Sequence, residues 1–404
     1  MVTLFVAIND KEKRYNLLHI RNKERLLSLR REEQFFCPVC KQEVQLKIGE
    51  HKQPHFAHKR AHTCLLEFER ESPYHLKGKE LLYQWLHKQG FDVKVERYFP
   101  SIAQRPDLFI TADETQLAIE YQCSTISADV FMKRTCSYWK EGIRVLWILG
   151  GNQFKRQGAH WLRLSAFHTL CVQPGTYLLY FCPEASSFFQ CSSLIPFSSA
   201  AAFSHMVPHP LRSSNLSSVL APSHVTLSQL QREWNNKKKA WRRNGLYVMH
   251  PYYHPFLAYL YEKRIPLSCF PPESLIPLPS LLSIQTPALL WQSFILIEEI
   301  GKLRVGDFFS SHYMYTRLVR KGKVKIRSLP YLSSSMPKKA LLEYLHFLCF
   351  TGYIEHVDTF KYRKKREPLI PQHEEEAYRM DEEMIGYALR LFGPHATLEH
   401  EKRI

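Results

Sequence analysis

The chain has 404 residues, which excludes one small domain and predicts two or three. Its 45% hydrophobic and 13% aromatic content is that of a folded globular protein. A formal charge of +17 points to polyanions, nucleic acid or an acidic membrane face, against the plainer reading of a basic solubilising surface.

The first ten residues carry neither a basic start nor a small-residue cleavage site, so no secretory signal is expected. The longest apolar stretch, "PALLWQSFILIEEI", is shorter than the ~20 residues that span a bilayer, so no membrane insertion is expected. These points predict a cytoplasmic protein, and ten cysteines in a chain this long do not suggest a secreted disulfide scaffold.

Residues 1–66 open with a short strand, "TLFVAI", and a return strand, "RYNLLHI". "CPVC" then makes a tight knuckle, and "EVQLKIGEHKQPHFAH" reads as a hairpin turning at Gly49. Cys37 and Cys40 supply two thiols, with His55, His58, His62 and Cys64 shortly downstream. Two more donors from that set would close a tetrahedral structural zinc site. His58 with Cys64 can complete it, and His55 is an alternative ligand through its finger-like spacing to His58.

Residues 67–195 begin with a helix, for which Ser72 is the N-cap, Pro73 suits the first turn and Gly90 is the stop. Leu76, Leu81, Leu82, Trp85 and Leu86 share roughly one face. Strands over 91–99, 106–111 and 117–123, a helix over about 127–141 and the strand "IRVLWILG" complete an α/β sandwich around a mixed sheet. "WLRLSAF", "TYLLYF" and "SFFQC" are further strand-like runs that extend it. Residues 196–225, rich in Ser, Pro and Ala, read as a linker or irregular connection. Residues 226–404 read as a mostly helical, basic domain. Within it, "PKKALLEYLHFLCFTGYIEHVDTFKYRKKR" has a helix, a glycine break and two short strands. That is either the ending of a winged-helix module suited to DNA or an ordinary helix and hairpin packed in a core. "NNKKKAWRRN", residues 235–244, interleaves a tryptophan with five cations and suits a phosphate backbone, although such runs are usually solvated helix faces.

The chemistry concentrates in "RPDLFITADETQLAIEYQCST". Asp107 starts one strand, while Glu120 and Gln122, two apart, face the same side of the next. A carboxylate among apolar residues has to be paired, protonated or metal-bound. Two strand-borne acids suit Mg²⁺ or Mn²⁺, which take oxygen ligands and leave room for a substrate phosphate. The order helix, three strands, helix, strand with P-D and E-x-Q resembles a PD-(D/E)XK, restriction-endonuclease-like core. Its third position is normally Lys; here Gln122 can orient water or bond a phosphate oxygen but carries no charge. Glu71, His75 and Lys79 recur every four residues and offer one helix side to the same site, or else form a solvated face. Arg134 and Tyr138, one turn apart on the second helix, suit a phosphate clamp, with a surface ion pair as the plainer reading.

"FFCPVCKQEVQLKIGEHKQPHFAHK", "ESPYHLKGK", "RPDL", "AIEYQCSTIS", "FMKRTCSYWKEGIRVLWILG" and "VTLFVAI" together resemble the competence protein CoiA family over most of residues 1–150. The resemblance implies a PD-(D/E)XK-type nuclease domain behind a zinc-ribbon-like module. It also implies a role in processing incoming DNA for recombination during transformation. By position, Asp107 and Glu120 inherit the metal, Gln122 the third motif position, and Cys37 and Cys40 the knuckle. The expected partners are DNA (duplex, single-stranded or branched) and recombination proteins such as a strand-exchange recombinase. A homodimer is compatible with the sequence, which does not fix the oligomeric state. A different class of function also fits: a catalytically inactive nuclease fold serving as a DNA-binding adaptor, which the missing lysine favours.

Overall fold

A computed structural model describes residues 3–20, 22–49, 53–58, 64, 71–112, 115–221, 223–244 and 251–393. The chain divides into two compact units: 1–155, 178–190 and 207–222 in the first, and 156–177, 191–206 and 223–404 in the second.

The first unit opens with strands β1 (Thr3–Leu4), β2 (Val6–Ile8), β3 (Arg14–Asn16), β4 (Phe35–Phe36), β5 (Glu43–Lys47) and β6 (His55–His58). They form one antiparallel sheet in the order β1-β6-β5-β4-β2-β3. The expected strand "TLFVAI" is split at Phe5, because the Phe5 and Val6 N–H groups donate to the Glu96 carboxylate at 3.0 and 3.3 Å. Helix α1 (Lys23–Glu32), capped by Asn22, lies between β3 and β4 in the chain and was not anticipated.

Helix α2 (Pro73–Lys88) starts where the Ser72 side chain accepts the His75 N–H, and Gly90 follows it in the left-handed region at φ +86°. Leu76, Leu82, Trp85 and Leu86 are buried, but so is Lys79, on the side expected to offer polar groups. Strands β7 (Val93–Val95), β8 (Leu108–Ala112) and β9 (Thr115–Gln122), helix α3 (Ala128–Lys140) and strand β10 (Arg144–Gly150) follow. β7, β8 and β9 pair antiparallel, whereas β10 runs parallel to β9, so the sheet is mixed, with α2 against β7 and β9 and α3 against β10.

Beyond it come β11 (Trp161–Arg163), α4 (Ala166–Leu170), β12 (Leu178–Cys182), β13 (Ser187–Pro196), β14 (Ala201–Pro210) and α5 (Leu216–Leu220). β12 pairs parallel with β10. The expected linker over 196–225 is therefore mostly ordered structure: ten of its residues form β14, where Ala202, Phe203 and Ser204 are buried. Small and hydroxylated side chains pack there, and the Ser204 hydroxyl donates to Ser192 O at 3.1 Å.

The second unit adds α6 (Leu227–Asn244), α7 (His254–Glu262), α8 (Ala288–Phe294), β15 (Phe308–Ser310) and α9 (Ser311–Arg320). α10 (Met336–Phe350), β16 (Ile354–Asp358), β17 (Lys361–Lys364) and α11 (Glu374–Phe392) complete it. Its core joins Trp161, Trp234, Trp241, Trp291, Tyr344 and Phe347. The expected helix, glycine break (Gly352, φ +70°) and hairpin are present, with β15 completing a sheet in the order β15-β17-β16. α10 buries Ala340, Leu341, Tyr344, Leu345, Phe347 and Leu348, so it serves as a core helix.

The basic run over 235–244 differs from a solvated face. Trp234, Lys238, Trp241 and Arg242 recur at helical spacing and turn inward together. Asp381 offsets both cations, with Lys238 Nζ at 2.8 Å and Arg242 Nε at 2.6 Å. Only part of that run is left to meet a phosphate backbone. No helix among the described residues is long and apolar enough to cross a membrane.

Gly78 marks the closest helix–sheet approach. A Cβ there would overlap the buried Tyr121 ring, lying 2.7 Å from its Cζ, and the Tyr121 hydroxyl is fixed as a donor to Phe181 O at 3.1 Å. Gly78→Ala gains about 1 kcal/mol of helix propensity but forces overpacking that costs about 1–3 kcal/mol. Net destabilisation is expected as a lower urea midpoint, and a raised midpoint would contradict the rigid contact.

Candidate metal centres and active site

The knuckle at 37–40 is closed by Cys37 N–H donating to Gln42 O at 2.8 Å and Lys41 N–H to Cys37 O at 3.0 Å. Lys41 sits in the left-handed region at φ +58°. The β5–β6 hairpin brings His58 back to this turn, with Cys40 Sγ 3.3 Å from His58 Nε2. Ligand atoms of Cys37, Cys40, His58 and Cys64 all lie within 4.8 Å of one another. Burial pushes the Cys37 thiol up to about 12, against hydrogen bonds from the Cys40 and Val39 backbone. A cation in the cluster would reverse that by favouring the thiolate. His55 does not join the group; its Nδ1 contacts Gln53 O at 2.8 Å, while His62 lies outside the described residues.

A second donor group gathers at the start of α2 and β8. Ligand atoms of Glu71, His75 and Asp107 lie within 4.8 Å of one another. Asp107 Oδ2 accepts the Tyr121 N–H at 2.9 Å and lies 3.4 Å from His75 Nε2, so the backbone of β9 fixes the carboxylate's orientation. Lys79 Nζ, fully buried, meets Glu96 at 2.6 Å, Glu71 at 2.8 Å and Asp107 Oδ1 at 3.3 Å. Burial opposes its charge, but Glu71, Glu96 and Asp107 together outweigh it and hold the ammonium well above its usual range. Burial likewise opposes ionisation of Asp107, and the His75 and Lys79 charges overcome it, holding the carboxyl far below its usual range.

Glu120 and Gln122 are placed differently. Both are buried on β9, as their two-residue spacing implies. Glu120 accepts the Tyr138 hydroxyl at 2.6 Å and pairs with Arg134, whose guanidinium lies 5.2 Å from the Trp147 ring centroid. Burial raises the Glu120 carboxyl and Arg134 only partly offsets it. Gln122 donates to Ser124 O and Oγ at 3.0 and 3.1 Å. The structure thus joins Asp107 to Glu71, His75 and Lys79, and Glu120 to Arg134 and Tyr138, without placing Glu120 in the Glu71–His75–Asp107 group.

Glu96 and Arg105 were not singled out in the sequence. Glu96 is 3% exposed, sits at φ +50°, and lies 3.8 Å from Arg105 Nη1 while bonding Lys79 and the β1–β2 backbone. An acid directly after the alternating "VKV" was the available signal.

His75 gives the site a pH dependence. Burial lowers its pKa, but Asp107 and Glu71 raise it further, for a net rise. A raised imidazole stabilises the metal-free fold fully below about 6.5, its unperturbed value, and that contribution is lost as pH climbs through the folded value. A metal bound through His75 would have to displace the same proton. Mn²⁺ affinity by calorimetry is therefore expected to rise across the window in which metal-free stability falls. A pH-independent affinity would remove His75 from the ligand set.

Family models for the competence protein CoiA match in three consecutive parts: the N-terminal domain at residues 18–67, the nuclease-like domain at 71–224 and the C-terminal domain at 230–378. The chain is 32% identical over 344 residues to competence protein CoiA of Bacillus subtilis (strain 168), covering 84% of this chain and 91% of that protein. No solved structure matches it. The donor group around Asp107 falls in the nuclease-like part and the cysteine cluster in the N-terminal one, and matches in this order across nearly the whole length place the chain in the competence protein CoiA family.

Proposed function

We propose that the chain is a divalent-metal-dependent DNA endonuclease with a PD-(D/E)XK-like core, acting on branched or single-stranded intermediates of natural transformation and homologous recombination. The observation that carries this reading is Asp107, held by the β9 backbone, grouped with Glu71 and His75 and contacted by the charge of buried Lys79. Glu71, His75 and Asp107 would hold the ion; two carboxylates and an imidazole suit Mn²⁺ and, more weakly, Mg²⁺. Bound there, the metal supplies Lewis acidity and an acidified water for attack on the phosphodiester. Lys79 contributes the positive charge beside Asp107 that Gln122 lacks, and Arg134 offers a guanidinium 25% exposed for a phosphate oxygen.

The four-donor cluster of Cys37, Cys40, His58 and Cys64 fits structural zinc, since it leaves no protein-free position in a tetrahedral set. About one zinc per chain is expected by atomic absorption, and Cys37→Ser should lose it; full retention would exclude the cluster. DNA is the partner the +17 charge favours, and a strand-exchange recombinase is the protein partner that a role in recombination would require.

The engagement of Glu120 with Arg134 and Tyr138, and of Gln122 with Ser124, favours a second reading: a DNA-binding adaptor on a retired nuclease fold. Incubating linear duplex, single-stranded and branched DNA with Mn²⁺ separates the two. Cutting, strongest on the branched or single-stranded substrate, is expected; binding with no cutting of any substrate would establish the adaptor.

A further inference from the structure

We propose that the second unit carries a stacking surface for single-stranded DNA, built where β15, the start of α9 and the β16–β17 turn meet. Three aromatic side chains there stand open to solvent: Phe308 is 50% exposed, Tyr313 67% and Phe360 48%. Single exposed rings are ordinary on protein surfaces. These three belong to one assembly, because β15 pairs with β17 at Ser310↔Lys361 and the Ser311 N–H donates to Phe360 O at 2.9 Å. That bond ties the N-terminus of α9 to the tip of the hairpin.

Cations accompany the rings. Lys361 Nζ lies 4.4 Å from the Phe308 centroid, Lys338 Nζ 5.5 Å from Phe360, and the His312 ring 6.2 Å from Phe360. The neighbouring carboxylates are engaged nearby: Asp307 accepts the Arg304 N–H, Asp358 the Thr359 N–H, and Glu355 pairs with Arg363. Lys338, half-exposed, and Lys361, exposed, have no carboxylate partner among the described residues, so their charge is left uncompensated beside the rings. Flat apolar faces alternating with such charge match what a single strand presents, bases with free π-faces strung on phosphates. A duplex hides those faces. Its grooves are read by an inserted helix, and α10, the helix preceding the hairpin, is buried in the core. An apolar protein partner would have to strip water from both lysines, which disfavours it.

The surface lies apart in sequence from Asp107 and does not depend on cleavage. The test uses the full chain without added divalent metal, by fluorescence anisotropy with labelled oligo(dT) and with a duplex of the same length. Tighter binding of oligo(dT) is expected, with about a tenfold loss for Phe308→Ala/Phe360→Ala and little change for duplex. Phe360→Leu, which keeps apolar bulk and loses the flat ring, should weaken oligo(dT) in the same direction, so misfolding is not the cause. Lys338→Ala and Lys361→Ala should each lower the salt slope by about 0.7, the single-strand value per phosphate. Because no divalent metal is present, loss of oligo(dT) binding in these variants is read separately from any loss of cleavage at Asp107. Unchanged oligo(dT) affinity in the double variant, or an equal loss for duplex, would overturn the proposal and leave the rings as a face for a protein partner.

Discussion

On the proposed mechanism, Asp107→Asn is expected to lower DNA cleavage by a factor on the order of 10³, the loss of several kcal/mol of charge stabilisation that a cation held by Asp107 would give the phosphate. The substitution isolates charge from shape. An amide oxygen can still accept the Tyr121 N–H now held at 2.9 Å, so the junction of β8 and β9 keeps its tether. Lys79 keeps Glu71 and Glu96 at 2.8 and 2.6 Å, so its ammonium stays paired. What disappears is a carboxylate that contacts both His75 and Lys79 and belongs to the three-donor group. Mn²⁺ binding by calorimetry should weaken together with the rate, while DNA affinity measured without divalent metal should stay near wild type. Undiminished cleavage would place the reaction elsewhere in the chain. Lost DNA affinity with normal Mn²⁺ binding would mean that the carboxylate positions nucleic acid instead.

Asp107 could be picked out from sequence because the signal was local: a proline, an acid, an apolar strand, a short turn and a second apolar strand. The same holds for α2, whose Ser72 cap, Pro73 and Gly90 act within one turn of the residues they govern. Lys79 was ambiguous for the opposite reason. At i, i+4 spacing from His75 it looks like one more cation on a wet helix face, and its partners Glu96 and Asp107 arrive from 17 and 28 positions along the chain. Long-range partners likewise explain Lys238 and Arg242, which turn inward because Asp381 on α11 meets them. β14 was hidden by composition: serine, alanine and proline suggest a connection, yet small side chains are what a strand can pack closely in a sheet. The pairing of Glu120 with Arg134 and Tyr138 has a related origin. Two acids on adjacent strands suggest a shared ion, but only the helix across the sheet shows that a cation and a hydroxyl already occupy Glu120.

Lys79→Met should destabilise the first unit strongly. The ammonium is fully buried and faces Glu71, Glu96 and Asp107, so methionine fills the volume but leaves three carboxylates without their shared counter-charge. Breaking a buried ion pair from one side costs about 3–5 kcal/mol. Glu96 bears most of it: 3% exposed, it would keep, among the described residues, the Phe5 and Val6 N–H donors and Arg105 at 3.8 Å. Burial pushes the Glu96 carboxyl up while Lys79 and then Arg105 pull it below its ordinary value, so its stabilisation is present above about pH 4.3 and is lost as pH falls through the folded value. The variant should therefore show a weaker loss of stability on acidification as well as a urea midpoint lower by about 1 M or more. A surface lysine would shift stability by less than about 0.5 kcal/mol, so the size of the change decides between a wet helix face and a buried charge centre. Lys79→Met/Glu96→Gln supplies the control. Neutralising the stranded acid should recover part of the loss, a coupling of about 0.5–3 kcal/mol in a double-mutant cycle. Strict additivity of the two substitutions would show that Lys79 and Glu96 do not share their charge, and that the β1–β2 backbone holds Glu96 independently of the lysine.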